Sequence, residues 1–409
     1  MGPTDVVGAA SARIRSAGGA LIRRLHLLPG GVPDGIGEDA RLDGVILTSK
    51  VVVFFPDTPD SLYQLADWYV TLEAVDREFG VTVICMDSRT GRRIREDSNL
   101  AVIVVGRDAT IDELLARSDV HVCLYVNHAQ QNLLMLRANR VVHVALQHGD
   151  SDKAVSISNQ IKAYDFAFMA GQAAVDRLSR HLMFYDAEAK CIIVGYPEPP
   201  PLALPEGIPP ANGKRVLYAP TWEGGHPSVG YSSVLSHGLI MVQSLIEAGY
   251  EVVYRPHPLT GVRLAEFREQ DGILRARLAA AEGSRVSTGI PLAVDLQTCD
   301  ILITDVSAVA NHWLRTGKPM IVTEMCGAAA QPAGMGLLEV VPRIGPADAA
   351  DIATVVEREL VDDPSGARRR AVAEYYLSPG SATDKTIRAL RDLMTRRAAE
   401  SSRLADDSR

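Results

Sequence analysis

The chain has 409 residues, 47% hydrophobic and 22% charged, a globular composition too long for one ordinary core and comfortable for two domains. A net charge of -8 and a pI of about 5.7 exclude a broad nucleic-acid surface, which needs a basic footprint, but not one anionic ligand in a local pocket. Cys85, Cys123, Cys191, Cys299 and Cys326 are scattered with no CxxC pair, so spacing assigns no metal site and the thiols read as buried in a reducing cytoplasm.

No apolar run approaches the roughly 20 residues that span a bilayer. Residues 6–28 carry Arg13, Arg15, Arg23 and Arg24, with Ile14, Leu21, Ile22, Leu25 and Leu28 near one helical face. A basic amphipathic segment of this kind can lie on an anionic membrane surface. The plainer alternative is a leader, or a helix packed on the protein, and Gly18-Gly19 weakens any helix here. Residues 29–44 are rich in Gly, Pro and Asp and read as a linker.

Short apolar runs follow at 45–55, 81–86, 101–105, 120–126, 141–147, 165–169 and 191–194. Several are Val/Ile-rich without polar alternation, as strands buried on both faces are. Stretches with helical spacing lie between them, at 60–78, 109–117, 129–138 and 171–182. That rhythm predicts βαβ units and a mostly parallel sheet. Seven prolines in 197–213 forbid a continuous helix or central strand and suggest an interdomain linker. Strands are then expected near 215–219, 251–254, 285–287, 300–304 and 319–323. Helices are expected near 236–248, 260–282, 291–298, 306–316, 347–362, 366–377 and 383–399.

The expected architecture is α/β, with two doubly wound Rossmann-like lobes and a cleft between them. Residues 1–40 form the basic segment and linker, 41–197 the first lobe, 198–213 the Pro-rich linker, 214–377 the second lobe, and 378–409 a C-terminal helix and polar tail. Ligands of such sheets bind outside the carboxyl ends of the strands. Four clusters sit at expected strand ends.

Gln147-His148-Gly149-Asp150-Ser151-Asp152-Lys153 follows the run 141–147. The glycine permits a sharp turn, the histidine can accept a proton near neutral pH, and Lys153 can supply positive charge. The alternative for His148 is a structural turn residue. Asp150-x-Asp152 is a carboxylate pair short enough to be common by chance, and no metal ligand is assigned. In Tyr218-Ala219-Pro220-Thr221-Trp222-Glu223-Gly224-Gly225-His226, Thr221 and the loop amides can hold a phosphate; the plainer reading is a turn with Trp222 in the core. In Tyr254-Arg255-Pro256-His257-Pro258, two prolines fix a backbone bearing a phosphate-matching guanidinium and a histidine able to stabilise charge on a bridging oxygen. In Thr304-Asp305-Val306-Ser307-Ala308, Asp305 or Ser307 is placed to cap the next helix, whose N-terminus attracts anions; capping alone is the alternative.

Taken in order, these motifs resemble the CDP-glycerol glycerophosphotransferase family of teichoic acid synthesis. The resemblance rests on His148-Gly149 with Lys153, Tyr218 to Trp222, Arg255 to Pro258 and Ile303 to Ser307, across roughly residues 141–325. It implies a two-lobed fold like the B-type glycosyltransferases and a CDP-linked polyol donor bound mainly by the second lobe. It implies that His148 activates the acceptor hydroxyl, that His257, Arg255 and Ser307 hold the donor diphosphate, and that CMP leaves. Thr221 and Thr304 join the expected diphosphate site; Lys153, Gly149, Trp222 and Asp305 are further candidates for substrate contact. The acceptor is expected to be lipid-linked or polymeric, with the enzyme peripheral at the cytoplasmic membrane face and no nucleic-acid partner; the sequence requires no cofactor and leaves a divalent cation open without supporting one. The chain departs from the family at Asp150-Ser151-Asp152, where a proline is usual, at Glu223, where arginine is common, and at Ala308, where a second serine is common. By Coulomb reasoning these changes weaken binding of an anion. Alternatives are a glycosyltransferase using a nucleotide sugar, a nucleotide-sugar epimerase, and a non-catalytic homologue that binds nucleotide or polymer.

Overall fold

Unbroken runs of β-branched, aliphatic and aromatic residues become the strands of two parallel sheets in the computed structural model, which describes residues 33–146, 157–197, 204–224, 230–324 and 336–407. The first sheet holds β1 (Val51–Phe55), β2 (Val81–Cys85), β3 (Ala101–Val104), β4 (Val122–Tyr125), β5 (Val142–Leu146), β6 (Phe166–Met169) and β7 (Cys191–Ile193), in the order β3-β2-β1-β4-β5-β6-β7. Val51 pairs with Val81 on one side and Val122 on the other. The second sheet holds β8 (Arg215–Ala219), β9 (Glu251–Tyr254), β10 (Arg285–Val286), β11 (Ile301–Thr304), β12 (Met320–Thr323) and β13 (Arg343–Ile344), in the order β10-β9-β8-β11-β12-β13. Here Ile301 pairs with Val216, and Arg215 with Glu251. Both sheets are doubly wound, as expected.

The helices before β7 are α1 (Tyr63–Ala66), α2 (Tyr69–Phe79), α3 (Ser88–Asp97), α4 (Asp108–Arg117), α5 (Asn132–Met135), α6 (Gln172–His181) and α7 (Ala187–Lys190). Those after β8 are α8 (Leu239–Glu247), α9 (Ala265–Ala279), α10 (Leu292–Thr298), α11 (Ala308–Leu314), α12 (Leu337–Val340), α13 (Ile352–Val361), α14 (Gly366–Tyr376) and α15 (Ala382–Asp407). A π-helical turn, Val234–Gly238, leads into α8. Chain chemistry sets several ends. The Asp87 carboxylate accepts from the Arg89 and Thr90 amides and starts α3. Gly80, at φ 72, closes α2 by donating to Asp76 O.

Alternate residues of the second sheet serve two cores. Leu217, Val253, Leu302, Met320 and Val322 pack with Trp313 and Tyr376. Val216, Tyr218, Val252, Ile301, Ile303 and Ile321 pack with Met241, Leu245 and Leu274. Fully burying each large apolar side chain stabilises the fold by about 1.5–3 kcal/mol. Cys85, Cys123, Cys191 and Cys299 are free thiols, and all but Cys191 are buried; Cys326 lies outside the described residues.

The chain forms two compact units, one from residues within 1–148, 161–168 and 381–409, the other from residues within 149–160 and 169–380. Residues within 149–160 and 169–197, expected in the first lobe, group with the second unit, and those within 381–409 group with the first. Helix α6 groups with the second unit, because Tyr375 Oη donates to Asp176 at 2.5 Å and Gly171 abuts Tyr376, where an added Cβ would lie 2.4 Å from a carbonyl oxygen. Helix α15 groups with the first unit. Its Leu390 and Leu393 are fully buried, its Thr383 hydroxyl meets that of Thr71 at 3.0 Å, and Arg391 pairs with Glu78. Of the Pro-rich run, residues 198–203 lie outside the described residues.

Candidate functional site

In each sheet the chain runs outward from a central strand and then crosses back to that strand's other side. The crossings place one switch point between β1 and β4 and another between β8 and β11. The carboxyl ends of strands flanking such a point open a crevice that backbone cannot fill, which is where doubly wound sheets bind ligands. Three of the four sequence clusters fall at the second switch point or on β9 beside it. The fourth, with His148, Gly149 and Lys153, lies outside the described residues.

Asp305 is fully buried and joins three segments. It accepts from the Thr221 amide at 2.6 Å, the Ser233 amide at 3.3 Å and the Thr323 hydroxyl at 2.5 Å. Burial pushes its carboxyl above the usual range, against the pull of these donors. Neither expected cap forms: the Asp305 carboxylate turns toward β8 and β12, and Ser307 stands at the N-cap of α11 without a side-chain cap bond. The Ser307 hydroxyl instead meets Thr304 Oγ1 at 2.9 Å, and Thr304 donates onward to Ala219 O at 2.7 Å. Asp305 with Thr221, and Thr304 with Ser307, thus form two adjacent bonded groups behind the strand ends. Ser307, 8% exposed, is the outermost of these four side chains.

Strand β9 delivers Arg255 and His257. Arg255 N donates to Tyr218 O at 2.8 Å, tying the turn to β8. Its Nη1 donates to Asp295 at 2.9 Å and to Ile290 O at 2.7 Å. Asp295 is fully buried on α10 and also accepts from Arg285 at 2.7 Å and Ser287 at 2.6 Å. One edge of the Arg255 guanidinium is therefore fixed, while the side chain stays 24% exposed. Burial, with Arg315 and Arg255 nearby, holds the His312 imidazole of α11 down at about 3, and His312 Nε2 meets Tyr196 Oη in a hydrogen bond of 2.7 Å. The field of Arg255 thus reaches the helix that Ser307 begins.

His257 is half-buried and its ring stacks on Trp222, with centroids 6.1 Å apart and planes at 21°. Its Nδ1 accepts from the Leu259 amide at 3.1 Å, so the neutral ring carries its proton on Nε2 and donates from there. Trp222 is half-buried against this ring rather than sunk in the core. Glu223 is 7% exposed and faces backbone: Gly261 N and Arg263 N donate to it at 2.9 Å, and Leu264 N at 3.2 Å. Burial pulls its carboxyl upward, but the amides outweigh that and the net shift is down.

Sequence reasoning missed Asp295 and the structural part played by Glu223. Asp295 did leave a signal, an acid within the apolar stretch Leu292–Thr298, which folds only if a cation meets it. Glu223 left none, since its partners lie 38 to 41 residues away. At the first switch point, Asp57 accepts from Asn127 Nδ2 at 2.6 Å, and the same amide donates to Gln64 at 2.8 Å. Among the described residues, no group of three His, Cys, Asp or Glu side chains is arranged to hold a metal, and no helix is long and apolar enough to cross a membrane.

Residues 203–325 match the family model of CDP-Glycerol:Poly(glycerophosphate) glycerophosphotransferase, the segment that contains Thr221, Arg255, His257 and Ser307. No curated protein is significantly similar in sequence. Among solved structures, a wall teichoic acid polymerase TagF soaked with CDPG is similar at TM-score 0.52 and 11% identity, over 98% of this chain and 100% of that one. A putative UDP-N-acetylglucosamine 2-epimerase from Listeria monocytogenes is similar at TM-score 0.56 and 16% identity, over 84% and 96%. A glycosyltransferase from Rickettsia africae is similar at TM-score 0.53 and 11% identity, over 86% and 99%. These likenesses show the fold: two Rossmann-like α/β domains of the B glycosyltransferase type.

Proposed function

We propose that this chain moves a polyol phosphate, glycerol phosphate or a close relative, from a CDP-linked donor to a hydroxyl of a lipid-linked or polymeric acceptor in the synthesis of a surface polymer. One observation carries the reading. A guanidinium edge fixed by a buried acid, an imidazole with its proton on Nε2, and a strand-end serine share the carboxyl ends of β8, β9 and β11, in the segment that matches the glycerophosphotransferase model.

The acceptor oxygen attacks the donor phosphorus distal to the nucleoside. The bond from that phosphorus to the bridging oxygen breaks, and CMP leaves with that oxygen. Arg255 and Ser307 hold the diphosphate oxygens, and His257 donates from Nε2 to the oxygen on which charge builds. The acceptor proton passes to His148, the base that the family resemblance implies. Positioning and fixed charge supply most of the rate. Glu223 does not oppose the donor, because its charge is met by backbone amides. The reading includes contact with an anionic membrane face through residues 1–30, checked by co-sedimentation with anionic liposomes before and after their removal.

The test is incubation of the full chain with CDP-polyols and with UDP-, GDP- and CDP-sugars, with and without a membrane-lipid extract, reading released nucleotide by mass. Extract-dependent CMP release from one CDP-polyol is expected, unchanged by a chelator. Release of a nucleoside diphosphate overturns phosphotransfer in favour of glycosyl transfer. Isomerised donor without release overturns it in favour of an epimerase.

A further inference from the structure

The turn that carries His257 continues into a loop gripped by Glu223, whose two oxygens collect the amides of Gly261, Arg263 and Leu264. These amides converge at the start of α9, a helix of 15 residues whose N-cap, Leu264, supplies no side-chain bond. Of these, the Leu264 amide is an orphan donor of the helix N-terminus, so the carboxylate satisfies from a distant strand end one group that a cap would, and its charge suits that end.

The grip passes back to the imidazole through short steps. Val262 N donates to Leu259 O at 3.2 Å, and Thr260 N to His257 O at 2.9 Å. Leu259 N, in the same turn, donates to His257 Nδ1. Arg268 clasps Gly261 O through Nε at 3.0 Å and Nη2 at 2.8 Å. Gly261 sits at φ +73, and a Cβ there would lie 2.6 Å from Arg268 Cα, so the loop has one tight path. Trp222, the residue before Glu223, stacks on the other side of the turn, against the ring itself.

We infer that Glu223 is a positioning residue: a built-in anion, seated in the amide nest of residues 261–264, that fixes the 257–262 turn and with it the Nε2–H tautomer and the aim of His257. The kinetic consequence rests on the donor reading above; the tautomer consequence does not. An acid in this position, which simple Coulomb reasoning sets against an anionic donor, thus prepares the donor site.

The test uses Glu223→Ala and Glu223→Gln in the full chain. The first readout is the ring-nitrogen NMR signature of His257 in the free protein, assigned by its loss in His257→Ala. The second is the donor KM and kcat in the CMP-release assay. The parent is expected to show the Nε2–H form. Glu223→Ala is expected to lose that preference, and to lower kcat and raise donor KM together, each on the order of 10-fold. Formate restores both, reaching the nest through the adjoining cavity of about 190 Å³, lined by Glu223, Ser232, Ser236 and Phe267 among others. Glu223→Gln, with one acceptor oxygen, recovers part of the effect and carries the test if the alanine variant does not fold. An Nδ1–H tautomer in the parent, or a folded Glu223→Ala with parental tautomer and KM, overturns the inference. If the parent turns over no donor, the function proposed above fails and the NMR readout alone decides this one.

Discussion

Each sheet carries an aspartate at its switch point, and the two are finished differently. Asp57, two residues beyond β1, is partly exposed and accepts one amide, from Asn127. Asp305, directly beyond β11, is fully buried and accepts from Thr221 N, Ser233 N and the Thr323 hydroxyl. Burial pushes both carboxyls upward. A raised acid at a switch point therefore does not by itself mark chemistry. What separates the two is how many backbone donors depend on the carboxylate. Asp305 is committed to building the loop that sets Thr221, so ligand contact falls to its neighbours nearer the surface, Arg255, His257 and Ser307.

The largest expected effects divide the two lobes by role. Arg255→Ala and His257→Ala are expected to lower turnover by about 10²- to 10³-fold and to weaken donor binding together, since each removes a donor aimed at the diphosphate. His148→Ala is expected to abolish turnover while donor binding stays near parental. Calorimetric titration with CDP-glycerol beside CMP release checks all three. Parental donor affinity in Arg255→Ala would break the assignment of the donor to the second sheet. Near-parental turnover in His148→Ala would remove the base.

Next is stability. Asp305→Ala strands the Thr221 and Ser233 amides in a dry site and is expected to cost about 3 kcal/mol. Asp305→Asn is expected to cost less, because the Thr323 hydroxyl can reverse and accept. Urea unfolding measures both; equal, small losses would mean that water replaces the carboxylate and that the contrast with Asp57 is one of burial alone.

The strands were legible because a parallel sheet buried on both faces leaves an unmistakable pattern: the runs at 215–219 and 251–254 coincide with β8 and β9. Helix α3 was not, because Ser88–Asp97 is dominated by Arg, Asp and Glu and buries only Thr90, Gly91 and Ile94; its start depends on the Asp87 cap. The two-residue β13 is too short to leave a period. At the site, the residue types and their strand-end placement were readable, since they follow from local sequence. Their commitments were not. Asp305 and Ser307 both looked like caps, and only the fold brings Thr221 and Thr323 to Asp305. Asp295 sits in an apolar stretch that calls for a cation, but Arg255 lies 40 residues away and nothing local names it as that cation.

The smallest expected effect is at Asp57, and its sign sharpens the comparison. Its folded pKa is raised by burial, which outweighs the Asn127 hydrogen bond. A raised carboxyl binds its proton more tightly in the folded chain, so stability falls as pH climbs from the unfolded value near 4 through the folded one. Above that window the ionised Asp57 is a standing cost. Asp57→Asn keeps an oxygen for Asn127 Nδ2 and removes the charge. It is therefore expected to match or exceed the parent at pH 7 by no more than about 1 kcal/mol, with the gap closing below about pH 4. Urea midpoints at pH 4 and pH 7 read this directly. A clear loss of stability in Asp57→Asn at pH 7 would mean that the ionised carboxylate holds the first switch point as Asp305 holds the second. Unchanged stability with slowed transfer would place Asp57 beside the acceptor.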